Sequence, residues 1–131
     1  MKSLKRRILI VDDWRQCADS LALVFRLSGH EVETAYDGIA ALEAARRFQP
    51  EVVFLDLTMP RMDGFDAGRA LCFLSPRPYL VAVTASGSEQ DRRRTLEAGF
   101  DEHLVKPVDP EVLEGLLVRL TGSLAPRVHR S

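Results

Sequence analysis

Five short, largely apolar runs separated by longer stretches of helical periodicity constrain this chain more than any other feature. Residues 8–11, 31–35, 52–55, 79–83 and 102–105 have the length and composition of strands. Between and after them, residues 14–27, 38–48, 65–74, 89–98 and 110–120 read as helices. In the first of these, Cys17, Leu21, Val24 and Phe25 recur at three- and four-residue spacing, and in the last Leu113, Leu116, Leu117 and Leu120 do the same. Turn chemistry agrees with the boundaries. Gly29 and Gly99 stand where helices end, and Ser88 and Asp109 where helices begin. The runs ILIV and VVFL are apolar throughout, as strands covered on both faces of a parallel sheet must be. Strict alternation of strand and helix then implies an α/β fold, a doubly wound (βα)5 flavodoxin-like parallel sheet with strand order 2-1-3-4-5.

With 131 residues, 46% hydrophobic and 28% charged, the chain suffices for one core that buries about two-thirds of the unfolded surface. A single domain over residues 1–122 is expected, with 123–131 (LAPRVHRS after Ser123) as a disordered tail. The net charge of −1 supplies no global field toward nucleic acid or an anionic membrane. Lys2, Lys5, Arg6 and Arg7 precede an apolar run of only four residues, too short for an export signal. No run approaches the roughly 20 apolar residues of a membrane span, so no membrane insertion is expected. Cys17 and Cys72 lie far apart with no further ligand at metal spacing, which fits a reducing, cytoplasmic setting.

Ligands of open α/β sheets bind beyond the carboxyl ends of the strands, where the winding reverses. Asp12 and Asp13 follow the first strand, Asp56 the third, Thr84 ends the fourth and Lys106 follows the fifth. With the first and third strands adjacent, three carboxylates converge on one crevice. Like charges about 4 Å apart repel by roughly 4 kcal/mol per pair at an effective dielectric near 20, so the cluster requires positive charge. Hard oxygen ligands suit Mg²⁺, and Lys106 adds a fixed cation. A carboxylate beside a metal and a lysine can act as a nucleophile in phosphoryl transfer. The competing use of each aspartate is to cap the following helix.

The segments ILIVDD, VVFLDLTMPRMDG, VAVTA and LVKP, in this order, resemble the receiver domains of bacterial response regulators over residues 7–120. The resemblance implies a two-component phosphorelay in which Asp56 is the phosphoacceptor, charged by a histidine phosphate. Asp12 or Asp13, with Asp56 and the backbone carbonyl of Thr58, would hold Mg²⁺. Thr84 and Lys106 would bind the phosphoryl oxygens, and Lys106-Pro107 would be cis. Such a domain is a signalling module, not an enzyme beyond its own phosphoryl transfer and autodephosphorylation. A sensor histidine kinase or phosphotransfer domain would be the donor and a downstream protein the target.

In that family an aromatic residue three before the lysine usually turns inward as the threonine moves. Here the position is His103, either part of the switch with Thr84 or a solvated histidine on the edge strand. Trp14 should stand at the crevice mouth, either controlling access or packed on the adjacent loop. Thr58 and Ser86 are small polar residues beside the acceptor. Leu23 and Leu27 should form a modest outer apolar patch on the first helix, and Arg92, Arg93 and Arg94 a solvated charged face on the fourth. No helix-turn-helix follows Leu120, so no direct DNA binding is expected, and the chain would be a stand-alone receiver or one taken from a hybrid kinase. The enzyme-class alternative is a haloacid-dehalogenase-like aspartyl-phosphate phosphatase. That fold needs two aspartates two residues apart, whereas Asp12 and Asp13 are adjacent and Asp56 is followed by Leu57 and Thr58. A flavodoxin-like electron carrier would need a phosphate loop after the first strand.

Overall fold

The computed structural model describes residues 5–57, 64–85 and 87–119, with Gly64 and Phe65 described by backbone alone. The expectations for Thr58, Ser86 and the tail 123–131 therefore lie outside the described residues. Five strands, β1 (Arg7–Val11), β2 (Glu31–Ala35), β3 (Val52–Asp56), β4 (Tyr79–Thr84) and β5 (Glu102–Val105), alternate with five helices. The helices are α1 (Arg15–Leu27), α2 (Gly38–Phe48), α3 (Gly64–Cys72), α4 (Glu89–Glu97) and α5 (Pro110–Arg119). All pairings are parallel, in the order β2-β1-β3-β4-β5.

Alternating side chains of the central strands feed two cores, because successive residues of a strand point to opposite faces. Ile8, Ile10, Val52 and Phe54 pack with Phe25 of α1 and Leu113, Leu116 and Leu117 of α5. Leu9, Val11, Val53 and Leu55 pack on the other face with Ala41 and Ala44 of α2 and Ala67 and Leu71 of α3. The sheet is thus the middle of three layers.

Local chemistry sets the element ends. The Asp37 carboxylate accepts from the Ala40 N–H at 2.8 Å to start α2, and Ser88 accepts from Asp91 N–H at 3.2 Å to start α4. Asp109 accepts from Glu111 N–H at 2.9 Å ahead of α5. Gly29 and Gly99 end α1 and α4 with φ of 98° and 101°. At Gly99 a side chain would also collide with the Cys72 sulfur on α3. Gly99→Ala should therefore cost more than the 1–2 kcal/mol or so of left-handed backbone alone, read as a lower urea midpoint at unchanged slope.

Candidate functional site

The parallel ladder brings the sequence-predicted residues together. Ile8 to Val11 pair with Val52 to Leu55, so Asp12 and Asp56 leave adjacent strands at the same level. One carboxylate oxygen from each of Asp12, Asp13 and Asp56 lies within 4.8 Å of the others. Asp12 and Asp56 are buried and Asp13 is exposed. Lys106, just beyond β5, reaches across to place Nζ 3.1 Å from Asp56 Oδ2 and 3.5 Å from Asp12 Oδ2. Its backbone N–H donates to the Thr84 carbonyl at 2.8 Å, which ties the ends of β4 and β5 together. Thr84 itself is buried at the end of β4. Lys106-Pro107 is cis.

Capping does not account for the first two aspartates. Helix α1 starts from Trp14 with no side-chain cap, and the Asp12 carboxylate instead accepts from the Trp14 backbone N–H at 3.0 Å. The electrostatics are those of a crowded anionic crevice. Burial pushes the Asp12 carboxyl above its ordinary range, the Trp14 N–H pulls it back, and the neighbouring Asp56 charge adds to the rise. Burial opposes the charge of Lys106, but its hydrogen bond to Asp56 and the charges of Asp56 and Asp12 outweigh burial and raise its pKa. The lysine is held as an ammonium ion. Three oxygen-only ligands with one partly exposed cation beside them could hold a hard divalent ion.

Two sequence expectations change in the structure. His103 is not a solvated edge-strand residue. It pairs in register with Ala82, whose side chain belongs to the core on the α2–α3 face, and it is itself only 8% exposed. Trp14 is not packed away on the adjacent loop, being 65% exposed at the rim. Leu23 and Leu27 are exposed as expected, and so are Arg92, Arg93 and Arg94.

Sequence reasoning missed a cavity of about 590 Å³ between α1 and the start of α5, lined in part by Trp14, Cys17, Leu21, Phe54, Val108 and Leu113 and opening onto Asp56 and Lys106. No local pattern signals it, because its lining comes from α1, β3 and the start of α5 together. Cys17 stands close enough to the cluster that partial burial, and then Asp12, raise its thiol pKa, so it stays protonated and weakly nucleophilic.

Residues 8–117 match the family described as response regulator receiver domain. The response regulator MprA of Mycobacterium leprae is 39% identical over 118 residues, 90% of this chain and 50% of that protein. The transcriptional regulatory protein PrrA of Mycobacterium tuberculosis is 40% identical over 121 residues, 92% of this chain and 51% of that protein. Among solved structures, a CheY-like receiver domain protein from Methanospirillum hungatei superposes with a TM-score of 0.84 at 30% identity, covering 93% of this chain and 97% of its own.

The chain spans about half the length of the curated relatives it matches. The expectation of a partner set without direct DNA binding is corrected by this finding. One such relative is a transcriptional regulatory protein, and the end of the sequence at Ser131 carries no weight about a DNA-binding module. Direct DNA binding by residues 1–131 is not shown either. Neither the phosphatase nor the electron carrier finds support among these relatives. Sheet order, the ordered carboxylates and lysine, and the match over residues 8–117 converge: the chain belongs to the response regulator receiver domain family.

Proposed function

We propose that Asp56 accepts a phosphoryl group, with Thr84 and Lys106 binding its oxygens and Asp12, Asp13 and Asp56 holding Mg²⁺. The observation that carries this reading is the Lys106 ammonium ion bridging Asp56 and Asp12 inside a group of three convergent carboxylates. The Thr58 carbonyl belongs to the same proposed ligand set. When bound, Mg²⁺ supplies neutralising charge for the carboxylates and the incoming phosphoryl group.

The chain's own residues do the rest. An Asp56 carboxylate oxygen forms the new O–P bond while the N–P bond of a phosphohistidine breaks, and the departing imidazole nitrogen takes up a proton. Lys106 holds the phosphoryl oxygens in line and offsets their charge, where positioning and neutralisation provide most of the catalysis. Hydrolysis of the acyl phosphate resets the site, so the reaction is self-directed and not turnover of an external substrate. A cytoplasmic setting belongs to the same reading, supported by the two free thiols of Cys17 and Cys72. The output it governs would include transcription, as the name of the half-matched relative states.

The test is incubation with a small phosphodonor and Mg²⁺ while intact mass is followed. A gain of one phosphoryl group, mapped to the peptide carrying Asp56 and absent in excess chelator, is expected. Continuous release of phosphate from an ester without a labelled protein would overturn the reading. Lys106→Met should slow uptake by about a hundredfold or more, the usual cost of removing one preorganised electrostatic donor. Initial rates of mass gain check it.

A further inference from the structure

Helix α4 has less apolar hold on the fold than its neighbours. Of the nine residues Glu89–Glu97 only Thr95 is buried, with no exposed surface at all, while Arg92, Arg93, Arg94 and Leu96 face outward. Apolar anchoring resumes only after the helix, at Ala98 and Phe100. A polar side chain is thus what α4 buries, and burial of a hydroxyl is favourable only with its hydrogen bonds made.

Both bonds of Thr95 are made. Its hydroxyl donates to the Arg92 carbonyl at 2.7 Å, and His103 Nδ1 lies 3.1 Å from the same oxygen. A hydroxyl carries one proton, and that proton is committed to Arg92. His103 must therefore donate from Nδ1, which fixes the proton on that nitrogen. His103 is itself buried on β5, three residues before Lys106.

At its other end α4 is joined to the site. Only four positions of the sequence separate Thr84 from Glu89, the first residue of the helix. Gly87 lies so close to β5 that a Cβ there would be 2.9 Å from a Val105 methyl. The near end of α4 thus lies beside the acceptor pocket and packs closely on β5, and its far half carries a buried, directional bond to the same strand.

We propose that Thr95 and His103 are a positioning pair: their hydrogen bond pins the C-terminal half of α4 to β5, so that displacement of the β4–α4 loop swings the helix about that point. The proposal rests on Asp56 as acceptor only for the source of the displacement. The pin itself is a property of the free protein.

Amide hydrogen exchange, read along α4 in free protein and in protein loaded with beryllofluoride and Mg²⁺ as a phosphoryl mimic, tests it. In wild type, loading should alter exchange in residues 87–93 and leave 94–98 unchanged. Thr95→Val, which keeps the volume and strands the His103 N–H, should speed exchange of residues 92–98 about ten- to a hundredfold in the free protein. Loading should then change exchange through the whole helix. Thr95→Ser should restore the wild-type pattern, which separates the hydroxyl from the methyl. Since a weakened fold would speed exchange everywhere, α2 amides serve as the reference. Unchanged α4 exchange in Thr95→Val, or equal acceleration in α2 and α4, would overturn the proposal. Failure of the acceptor reading is seen separately, as wild-type protein with no mass gain at Asp56.

Discussion

The Asp56→Asn protein is expected to gain no phosphoryl mass under conditions that label wild type, and to unfold at a higher urea concentration in metal-free buffer. The first effect follows from loss of the proposed nucleophile. The second follows from the charge balance. Asp56 is 3% exposed, and its carboxylate shares the crevice with Asp12 and Asp13 beside the Lys106 ammonium ion. An isolated buried carboxylate costs several kcal/mol to desolvate. Its pairing with Lys106 must be discounted, because that side chain is 31% exposed and screened by water. Neutralising Asp56 takes the cluster from net −2 to net −1 and leaves Lys106 for Asp12. A gain of about 1–2 kcal/mol is expected, within the range commonly recovered when a functional site is relieved of its own repulsion.

The pH dependence has a definite sign. The Asp12 carboxyl is raised, first by burial and also by the charge of Asp56, so the folded chain holds a proton the unfolded chain has already released. Stability from this group is present below the ordinary 3.8 and is lost as pH rises through the raised folded value. Asp56→Asn should flatten that loss. Mg²⁺ should stabilise wild type more than the variant, by mass action on a site that has lost a ligand. Equal urea midpoints for the two proteins without metal would mean that the carboxylates do not repel as argued.

Most of the site is legible in the sequence because a parallel sheet converts strand-end position into spatial position. Asp12 and Asp56 follow apolar runs that must be neighbours, and a lysine after the fifth run falls on the same edge. The choice between Asp12 and Asp13 is less legible, since it depends on how the chain turns after Val11. The structure resolves it as one buried and one exposed carboxylate, both near Asp56. The His103 environment is hidden for a different reason. EHLV is short and mixed in polarity, and only the register with Ala82 and the overlying Thr95 place the ring inside. The cavity beside Asp56 is hidden most deeply. It is lined by Cys17 and Leu21 of α1, Phe54 of β3 and Leu113 of α5, residues of three elements that no local pattern compares.

Phe54→Ala is expected to be among the most destabilising single substitutions in the chain, by about 3–5 kcal/mol and toward the upper end of that range. Phe54 lies in the middle of β3 at 2% exposure, its ring stacked on Phe25 with centroids 5.5 Å apart and planes 16° from parallel. Phe25 in turn meets the His30 ring edge-on at 6.0 Å. The cost depends on how far neighbours collapse into the vacated space. Here they start beside an existing cavity of about 590 Å³, so the new void merges with it and few atoms are positioned to fill it. Such a loss is a large share of the 5–15 kcal/mol or so that holds a typical domain together. It should appear as a lower urea midpoint at unchanged slope, and a cycle with Phe25→Ala should return a coupling of about 0.5–1.5 kcal/mol for the stacked pair. Leu55→Ala, one residue along but in the opposite core, should show no such coupling to Phe25. A coupling of the same size there would mean that the sheet does not insulate its two cores. Because Phe54 and Asp56 point to the same face of β3, the ring is also part of the floor under the acceptor. The folded fraction of Phe54→Ala should therefore take up a phosphoryl group more slowly than Leu55→Ala matched for stability.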